Sequence, residues 1–455
     1  MIRCDQAFLQ PELMDVVRLF EGAEELEITH EMRYENERFF NCFTLDGRKT
    51  QFQNAARAEG ELAYKSLAKR YAKLGLYRIL SDRFQKQLPW GALTGIRPTR
   101  LARTETEAGR DFVPLFREMG VSEENIELCA RVMAGQEGIY ERQEGNCDLY
   151  VSLPFCPTRC VYCSFITAPI DKTRQFIPDY LNGLERELQG TQGLWKRLRS
   201  VYVGGGTPFA LDEASLERVL NMIAPLRNGE EFTVEAGRPD VFTKEKLALC
   251  KEYGVTRMCI NAQSFSDKTL QAIGRKHTAE QVEEAFEMAR PFDFSVNCDL
   301  IAGLTGESVD EFCNSVDRAI ALSPENITVH TLCLKKGAKL KEEVDSLADG
   351  RLDEMIAYSR TALTKAGYEP YYLYRQKYMA GAHENVGWTK KGFASVYNID
   401  VMEEISDNLA VGGNAVTKKV YLGEGRIERI GSPKDIPTYL SKVDQLILQK
   451  KALFV

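Results

Sequence analysis

From about residue 148 the chain repeats one pattern: a short run rich in β-formers, then an amphipathic helical stretch. The β runs fall at 149–153, 200–203, 231–236, 257–264, 293–301 and 326–334. Helical periodicity occupies 174–189, 212–226, 243–253, 278–290 and 307–322, and returns at 350–366. Strands joined through helices run parallel with right-handed crossovers, so six such units predict an α/β sheet or an incomplete barrel. In such folds chemistry sits where the strands end, so the residues just past each strand are the place to look.

The flanks read differently. Residues 1–147 predict a separate α+β domain, with a helix near 61–85 that buries Ala63, Leu67, Tyr71 and Leu74 and a linker near 143–148. Residues 371–455 predict a small C-terminal domain of short strands, a Gly-rich turn at 411–414 and a final helix at 434–450. The partial barrel itself is assigned to 148–370. The chain carries 59 basic and 66 acidic residues, a net charge of -7, with no basic block. Nucleic acid and anionic membrane are therefore not expected partners. No apolar run approaches a spanning helix and the first residues show no signal-peptide pattern, which predicts a cytoplasmic protein.

Twelve cysteines are many for such a chain, and three of them crowd into one loop. Cys156, Cys160 and Cys163 stand in C-x3-C-x2-C spacing directly after the first β run. Three thiolates on one loop can hold three irons of a cubane cluster and leave the fourth iron open. Structural zinc asks for four closed ligands, and no further His or Cys pair lies nearby in sequence. Most of the nine scattered cysteines read as small buried hydrophobes.

The C-x3-C-x2-C loop resembles that of the radical S-adenosylmethionine (SAM) enzymes, and the likeness continues past it. After the second β run comes Gly204-Gly205-Gly206-Thr207-Pro208, which resembles the turn those enzymes use for the SAM amino group. Glu235 and Gln263 end the third and fourth β runs, Arg275 follows on the next helix, and Asp299 lies on the fifth run. The resemblance implies that Glu235, Gln263 and Asp299 contact the amino, ribose or adenine parts of SAM and that Arg275 contacts its carboxylate. Within the superfamily the chain is similar to the oxygen-independent coproporphyrinogen III oxidases, nearest the HemZ-type coproporphyrinogen dehydrogenases. The segments that carry this are LPWGALTGIRPTR, LYVSLPFCPTRCVYCSF, VYVGGGTP, NITVHTLCLKKGA and YYLYRQKYMAGAHENVGW.

That resemblance implies a 4Fe–4S cluster and SAM as cofactors, and oxidative decarboxylation of coproporphyrinogen III to protoporphyrinogen IX in haem synthesis. A flavodoxin or ferredoxin would donate the electron. Tyr150 matches a tyrosine placed near SAM and substrate in this group. Two departures from the HemN-type pattern stand out: Ser164 and Phe165 follow Cys163 where that pattern has a fourth cysteine, and Ser152 replaces a histidine. The haem chaperones of the HemW type share the missing cysteine, which makes haem binding without porphyrinogen turnover the first alternative. A radical SAM enzyme acting differently on a tetrapyrrole is the second.

A tetra-anionic substrate needs cations, and Arg97, Arg100, Lys276, Arg375 and Lys377 are the candidates. Arg375 leads, because Tyr371, Tyr372, Tyr374 and Tyr378 surround it in sequence and could cover a flat macrocycle. His383 falls where the chaperones carry a stretch proposed to hold haem, while His30, His277 and His330 receive no assignment.

Overall fold

The structure is a computed structural model that describes residues 2–95, 97–163, 168–333, 351–376 and 380–454. It divides into two compact units: residues 1–130 with 375–384, and residues 131–374 with 385–455.

The first unit is built on a four-stranded sheet of β1 (Ile2–Cys4), β2 (Ile28–Glu35), β3 (Arg38–Leu45) and β4 (Arg48–Ala55). Buried and exposed residues alternate along β2, as a half-covered strand requires. The cover is the helix Gly60–Phe84, which buries Tyr71 and Leu74 as its periodicity predicts but leaves Ala63 and Leu67 only half-buried. His30 is a core residue here, bonded to Asn41 at 2.9 Å and stacked on Phe43.

The second unit carries one eleven-stranded sheet. In chain order its strands are β5 (Asn146–Leu153), β8 (Arg197–Gly205), β9 (Glu231–Gly237), β10 (Arg257–Gln263), β11 (Ser295–Ala302), β12 (Asn326–Thr331), β13 (Glu369–Tyr374), β14 (Asn385–Thr389), β15 (Asp407–Val411), β16 (Val416–Tyr421) and β17 (Arg426–Gly431). A separate two-stranded pair, β6 (Phe155–Cys156) and β7 (Ala168–Pro169), follows β5. Across the large sheet the order is β13-β14-β12-β11-β10-β9-β8-β5-β15-β16-β17. The strands β5, β8, β9, β10, β11 and β12 are parallel neighbours in chain order, so all six expected βα units are present.

Residues 371–455 do not form the small domain expected of them. β14 and β13 extend one edge of the parallel core, and β15, β16 and β17 extend the other. The expected boundary at 147 also moves, because residues 131–147 belong with the large sheet. A parallel core leaves unpaired backbone at both edges, and the late strands satisfy it. The outermost strand, β17, guards the free edge with Arg426, Glu428 and Arg429.

The two faces of the parallel core differ in chemistry. Leu149, Val151, Val201, Val203, Phe232, Val234, Met258, Ile260, Cys298, Leu300, Ile327 and Val329 are buried, and right-handed crossovers cover this face with helices. The alternate positions carry Tyr150, Tyr202, Glu235, Cys259, Asn261, Asn297, Asp299, Thr328 and His330. Helix Val396–Glu403 closes the strand-start end of this polar face. Glu231 accepts hydrogen bonds from the Ser395 hydroxyl and from the amides of Val396 and Tyr397, and Arg199 grips Asp400 at 2.5 Å. The other end, where the parallel strands finish, carries the motif residues.

The C-terminal helix Ile436–Phe454 is anchored by a buried ion pair. Lys450 Nζ lies 2.5 Å from Glu187 Oε1, and both side chains are 0% exposed. Glu187 Oε2 also accepts the Gly412 amide and the Tyr439 hydroxyl, each at 2.8 Å. Removing one partner of such a pair strands the other charge. Lys450→Met should therefore destabilise the protein by about 3 kcal/mol in denaturant unfolding, and pairing it with Glu187→Gln should recover much of the loss.

Candidate functional site

The cysteine loop leaves β5 and is pinned at several points. β6 pairs with β7, drawing the two ends of the loop together. In between, the Val161 amide donates to Ile273 O at 3.1 Å and the Thr158 hydroxyl to Gly274 O at 3.2 Å. Val161 and Tyr162 pack against Leu270, Ile273, Ile301, Leu304 and Leu332. The loop thus docks on the segment that leads into Arg275. Cys156 and Cys160 are buried and Cys163 is half-buried; Ser164 and Phe165 lie outside the described residues.

Burial pushes the Cys156 thiol up to about 12, the Thr207 hydroxyl opposes this, and the charges of Cys163 and Cys160 add to it. Among the described residues no three His, Cys, Asp or Glu side chains converge as a ready site for a single ion. A cubane does not ask for that convergence, since each thiolate binds a different iron. Iron would take the place of the thiol protons, and the donor set fits such a cluster.

The glycine turn is built onto the same loop. The Gly206 amide donates to Leu153 O and the Thr207 amide to Phe155 O, both at 2.7 Å. Position 206 must be glycine for this approach, because a Cβ there would lie 2.5 Å from Phe155 O and 2.7 Å from Leu153 O. Gly205 adopts φ +100°, and Gly204 lies against the Glu235 carboxylate and the Tyr202 ring. Thr207 Oγ1 sits 3.5 Å from Cys156 Sγ, which joins turn and thiol directly.

Around this turn the structure gathers the other motif residues. Glu235, half-buried at the end of β9, accepts from Asn261 Nδ2 at 3.2 Å. Burial and the neighbouring Asp299 charge push its carboxyl up to about 7, against the Gly205 amide, Asn261 and Arg275. Gln263 closes β10 at φ +69°, where the register with β11 shifts. Arg275 is buried and donates to Asn261 O. Burial opposes its charge, but Tyr162 and Cys160 beside it hold it above its ordinary value. Burial likewise works against the Asp299 carboxylate, yet His330, Asn297 and Thr328 hold it below the ordinary range.

Three buried polar atoms in this group have no hydrogen-bond partner among the described residues: Asn261 Oδ1, Gln263 Oε1 and Arg275 Nε. Buried polar atoms are nearly always paired, so three orphans at one strand-end mouth mark the place of a polar ligand. An amino acid joined to a nucleoside, which offers an ammonium, a carboxylate and hydroxyls, fits these donors and acceptors.

Tyr150 lies on the same face with two partners absent from the sequence reading. Its ring is 5.9 Å from Tyr202 and 6.3 Å from Tyr397, with near-parallel planes, and Tyr202 and Tyr397 are 4.5 Å apart. Strict alternation along β8 and β10 could have marked Tyr202 and Asn261. Tyr397 carries no such signal, because its helix belongs to a stretch expected to fold apart.

Arg97, Arg100 and Arg375 belong to the first unit, while Lys276 is exposed beside Arg275 and Lys377 and Tyr378 lie outside the described residues. The Arg375 guanidinium is buried, donates to the carbonyls of Leu93, Ala382 and His383, and lies 5.3 Å from the Trp90 ring centroid. Burial lowers it to about 10 against the charge of Glu384. It is a strut within its own unit, and a substrate carboxylate would have to displace those carbonyls. His383 is buried in the same unit.

Comparison with known proteins agrees with this geometry. The Radical SAM superfamily model matches residues 150–319. The oxygen-independent coproporphyrinogen-III oxidase-like protein HemZ of Bacillus subtilis is 35% identical over 79% of this chain and 76% of its own. The heme chaperone HemW of the same organism is 36% identical over 41% of this chain and 50% of its own. Among solved structures, coproporphyrinogen III oxidase (HemN) from Escherichia coli superposes with a TM-score of 0.54 over 70% of this chain and 72% of that one, at 20% identity. That last likeness is one of fold.

Glu235 makes the cofactor-free protein sensitive to pH. Its folded value near 7 lies above the unfolded value of 4.5, so its contribution to stability is present below 4.5 and is lost as pH rises through 7. Glu235→Gln should flatten the fall in unfolding free energy between pH 5 and pH 8 by about 1–2 kcal/mol, as read from denaturation midpoints of cofactor-free protein.

Proposed function

Because the chain belongs to the radical SAM superfamily, alongside HemZ, we propose that it is an oxidoreductase that decarboxylates coproporphyrinogen III to protoporphyrinogen IX without oxygen. The observation that carries this reading is the junction of cysteine loop, glycine turn and Arg275 at one set of strand ends, in a chain related to HemZ over most of its length. We read the six parallel strands as an incomplete barrel with the polar face inside.

Membership of the superfamily implies a 4Fe–4S cluster and SAM, which together supply a carbon-centred radical strong enough to take a hydrogen atom from an unactivated carbon. The chain's own residues do the rest. Cys156, Cys160 and Cys163 would hold the cluster through their thiolates. Arg275 takes the SAM carboxylate. Glu235, half protonated near neutrality when alone, ionises against the SAM ammonium, since an opposite charge favours the charged form. Gly204, Gly205, Gly206 and Thr207 bring backbone close enough to cradle that end of the ligand, and Gln263 and Asp299 meet the nucleoside. The Tyr150, Tyr202 and Tyr397 rings form an apolar floor that excludes water from the reacting carbon and supports a pyrrole ring of the substrate. A flavodoxin or ferredoxin supplies the electron.

A haem-binding chaperone is the second reading, and its support is the likeness to HemW over part of the chain. His383 would be its axial ligand, although that side chain is buried.

Anaerobic incubation of the reconstituted protein with SAM, a low-potential reductant and coproporphyrinogen III separates the two. Mass spectrometry should find protoporphyrinogen IX and 5′-deoxyadenosine together, and Cys160→Ala should lose both. Deoxyadenosine without porphyrinogen turnover would move the substrate elsewhere. Tight haem binding abolished by His383→Ala, with no deoxyadenosine, would favour the chaperone.

A further inference from the structure

Three strands, the neighbours β11 and β12 and, one strand further on, β13, each present a pair of polar side chains two residues apart. β11 offers Asn297 and Asp299, β12 offers Thr328 and His330, and β13 offers Tyr372 and Tyr374. With period-two alternation, each pair points to the same side of the sheet. The six side chains meet as a closed circuit. The Tyr374 hydroxyl lies 3.3 Å from His330 Nδ1, and His330 Nε2 lies 3.9 Å from Asp299 Oδ2. Asn297 Nδ2 donates to Asp299 Oδ1 at 2.7 Å, and the Thr328 hydroxyl donates to Asn297 Oδ1 at 3.2 Å. Thr328 Oγ1 and the Tyr372 hydroxyl are 3.1 Å apart, and the Tyr372 and Tyr374 rings stack at 14° to complete the circuit.

The circuit exists because of one small residue. β14 lies between β13 and β12, so Tyr372 has to reach Thr328 across it. Gly387, paired with both Thr328 and Tyr372, lets the ring lie over the strand. A Cβ at 387 would fall 1.8 Å from Tyr372 Cε1.

Thr328 and Tyr372 are buried, whereas the side chains of His330 and Asp299 keep 27% and 17% of their exposure. The circuit thus opens to solvent at the carboxylate. Asp299 Oδ1 is taken by Asn297. Oδ2 has the His330 ring at 3.9 Å, too long for a hydrogen bond, so it is steered but still free to accept.

We propose that His330 is a positioning residue, which through this circuit fixes the Asp299 carboxylate so that Oδ2 accepts hydroxyl groups from the nucleoside part of SAM. This rests on the reading of the strand-end mouth as a SAM cradle.

The test is equilibrium dialysis of the reconstituted whole chain of 455 residues against labelled SAM and, separately, labelled 5′-methylthioadenosine, which keeps the nucleoside and lacks the amino acid. His330→Ala should weaken both ligands by the same factor, about tenfold, with cluster absorbance unchanged. His330→Gln, whose amide can still donate, should restore most of that loss. Weakening of SAM alone would assign the effect to the amino-acid end and overturn the proposal, as would wild-type affinity for both ligands in His330→Ala. If His330→Ala loses its cluster or fails to fold, Tyr374→Phe keeps the ring and removes only the hydroxyl. It should cost about threefold for both ligands, and no change there overturns the proposal. Failure of the underlying reading looks different: wild-type protein with an intact cluster would bind neither ligand, which removes the cradle and the proposal together.

Discussion

Two backbone hydrogen bonds, from Gly206 to Leu153 and from Thr207 to Phe155, determine where the cysteine loop can stand. They tie the first crossing out of β5 to the end of β8, and with them the thiol of Cys156 to the hydroxyl of Thr207. The contact requires bare backbone on one side, which is why a glycine at 206 matters more than any side chain near it. Once the loop is fixed there, Val161 and Thr158 can reach Ile273 and Gly274, and Arg275 arrives beside Cys160. The electrostatics of the site follow from that order of assembly. A buried guanidinium next to a thiol, and a carboxyl near neutrality next to a second carboxylate, are stable only because a rigid backbone leaves them no alternative.

Much of this was legible in the sequence because it depends on local rules. The six βα units show as changes between two-residue and helical periodicity, and all six strands stand where that change places them. Glu235, Gln263 and Asp299, which lie on those strands, stood out only through the resemblance to the radical SAM enzymes, since each taken singly reads as an ordinary polar residue. What the sequence withheld depends on distant pairing. The stretch from Asn385 onward is full of short strands and turns, which is also how a small independent domain reads. Nothing local says that β14 pairs with β12 and β15 with β5. Tyr397 was hidden for the same reason, since its place beside Tyr202 depends on Arg199 holding Asp400 across about two hundred residues of chain. Arg375 shows the converse. Its tyrosine-rich surroundings suggested a binding groove, but its fork bonds to carbonyls of a unit that begins a full domain earlier in the chain.

The polar face is supported by charged and neutral hydrogen-bonded groups that the proposed chemistry does not use. At the strand starts, Glu231 caps the helix Val396–Glu403 and Arg257 bonds to Phe393 O, so the tyrosine floor rests on a buried polar layer. Behind β5, Tyr180 joins Ser152 O to the Gly413 amide, and Ser152 returns a hydrogen bond to Gly413 O. The glycine pair at 412 and 413 thereby becomes part of the scaffold beneath the cysteine loop. Such networks are demanding, because each member left without its partner costs more than the pair contributes.

The distribution of the late strands has a consequence for how the protein is made. While the chain emerges from the ribosome, the parallel core from β5 to β12 can form before either of its edges has a partner. Both rims of unpaired amides and carbonyls stay open until the stretch beyond Asn385 arrives to cover them, one strand to each side. During that interval the nascent chain presents two templates for pairing with a neighbour on the same polysome. A chain built this way has its greatest exposure to aggregation between the synthesis of β12 and that of β15, and the strands that close the core are made well after the core itself.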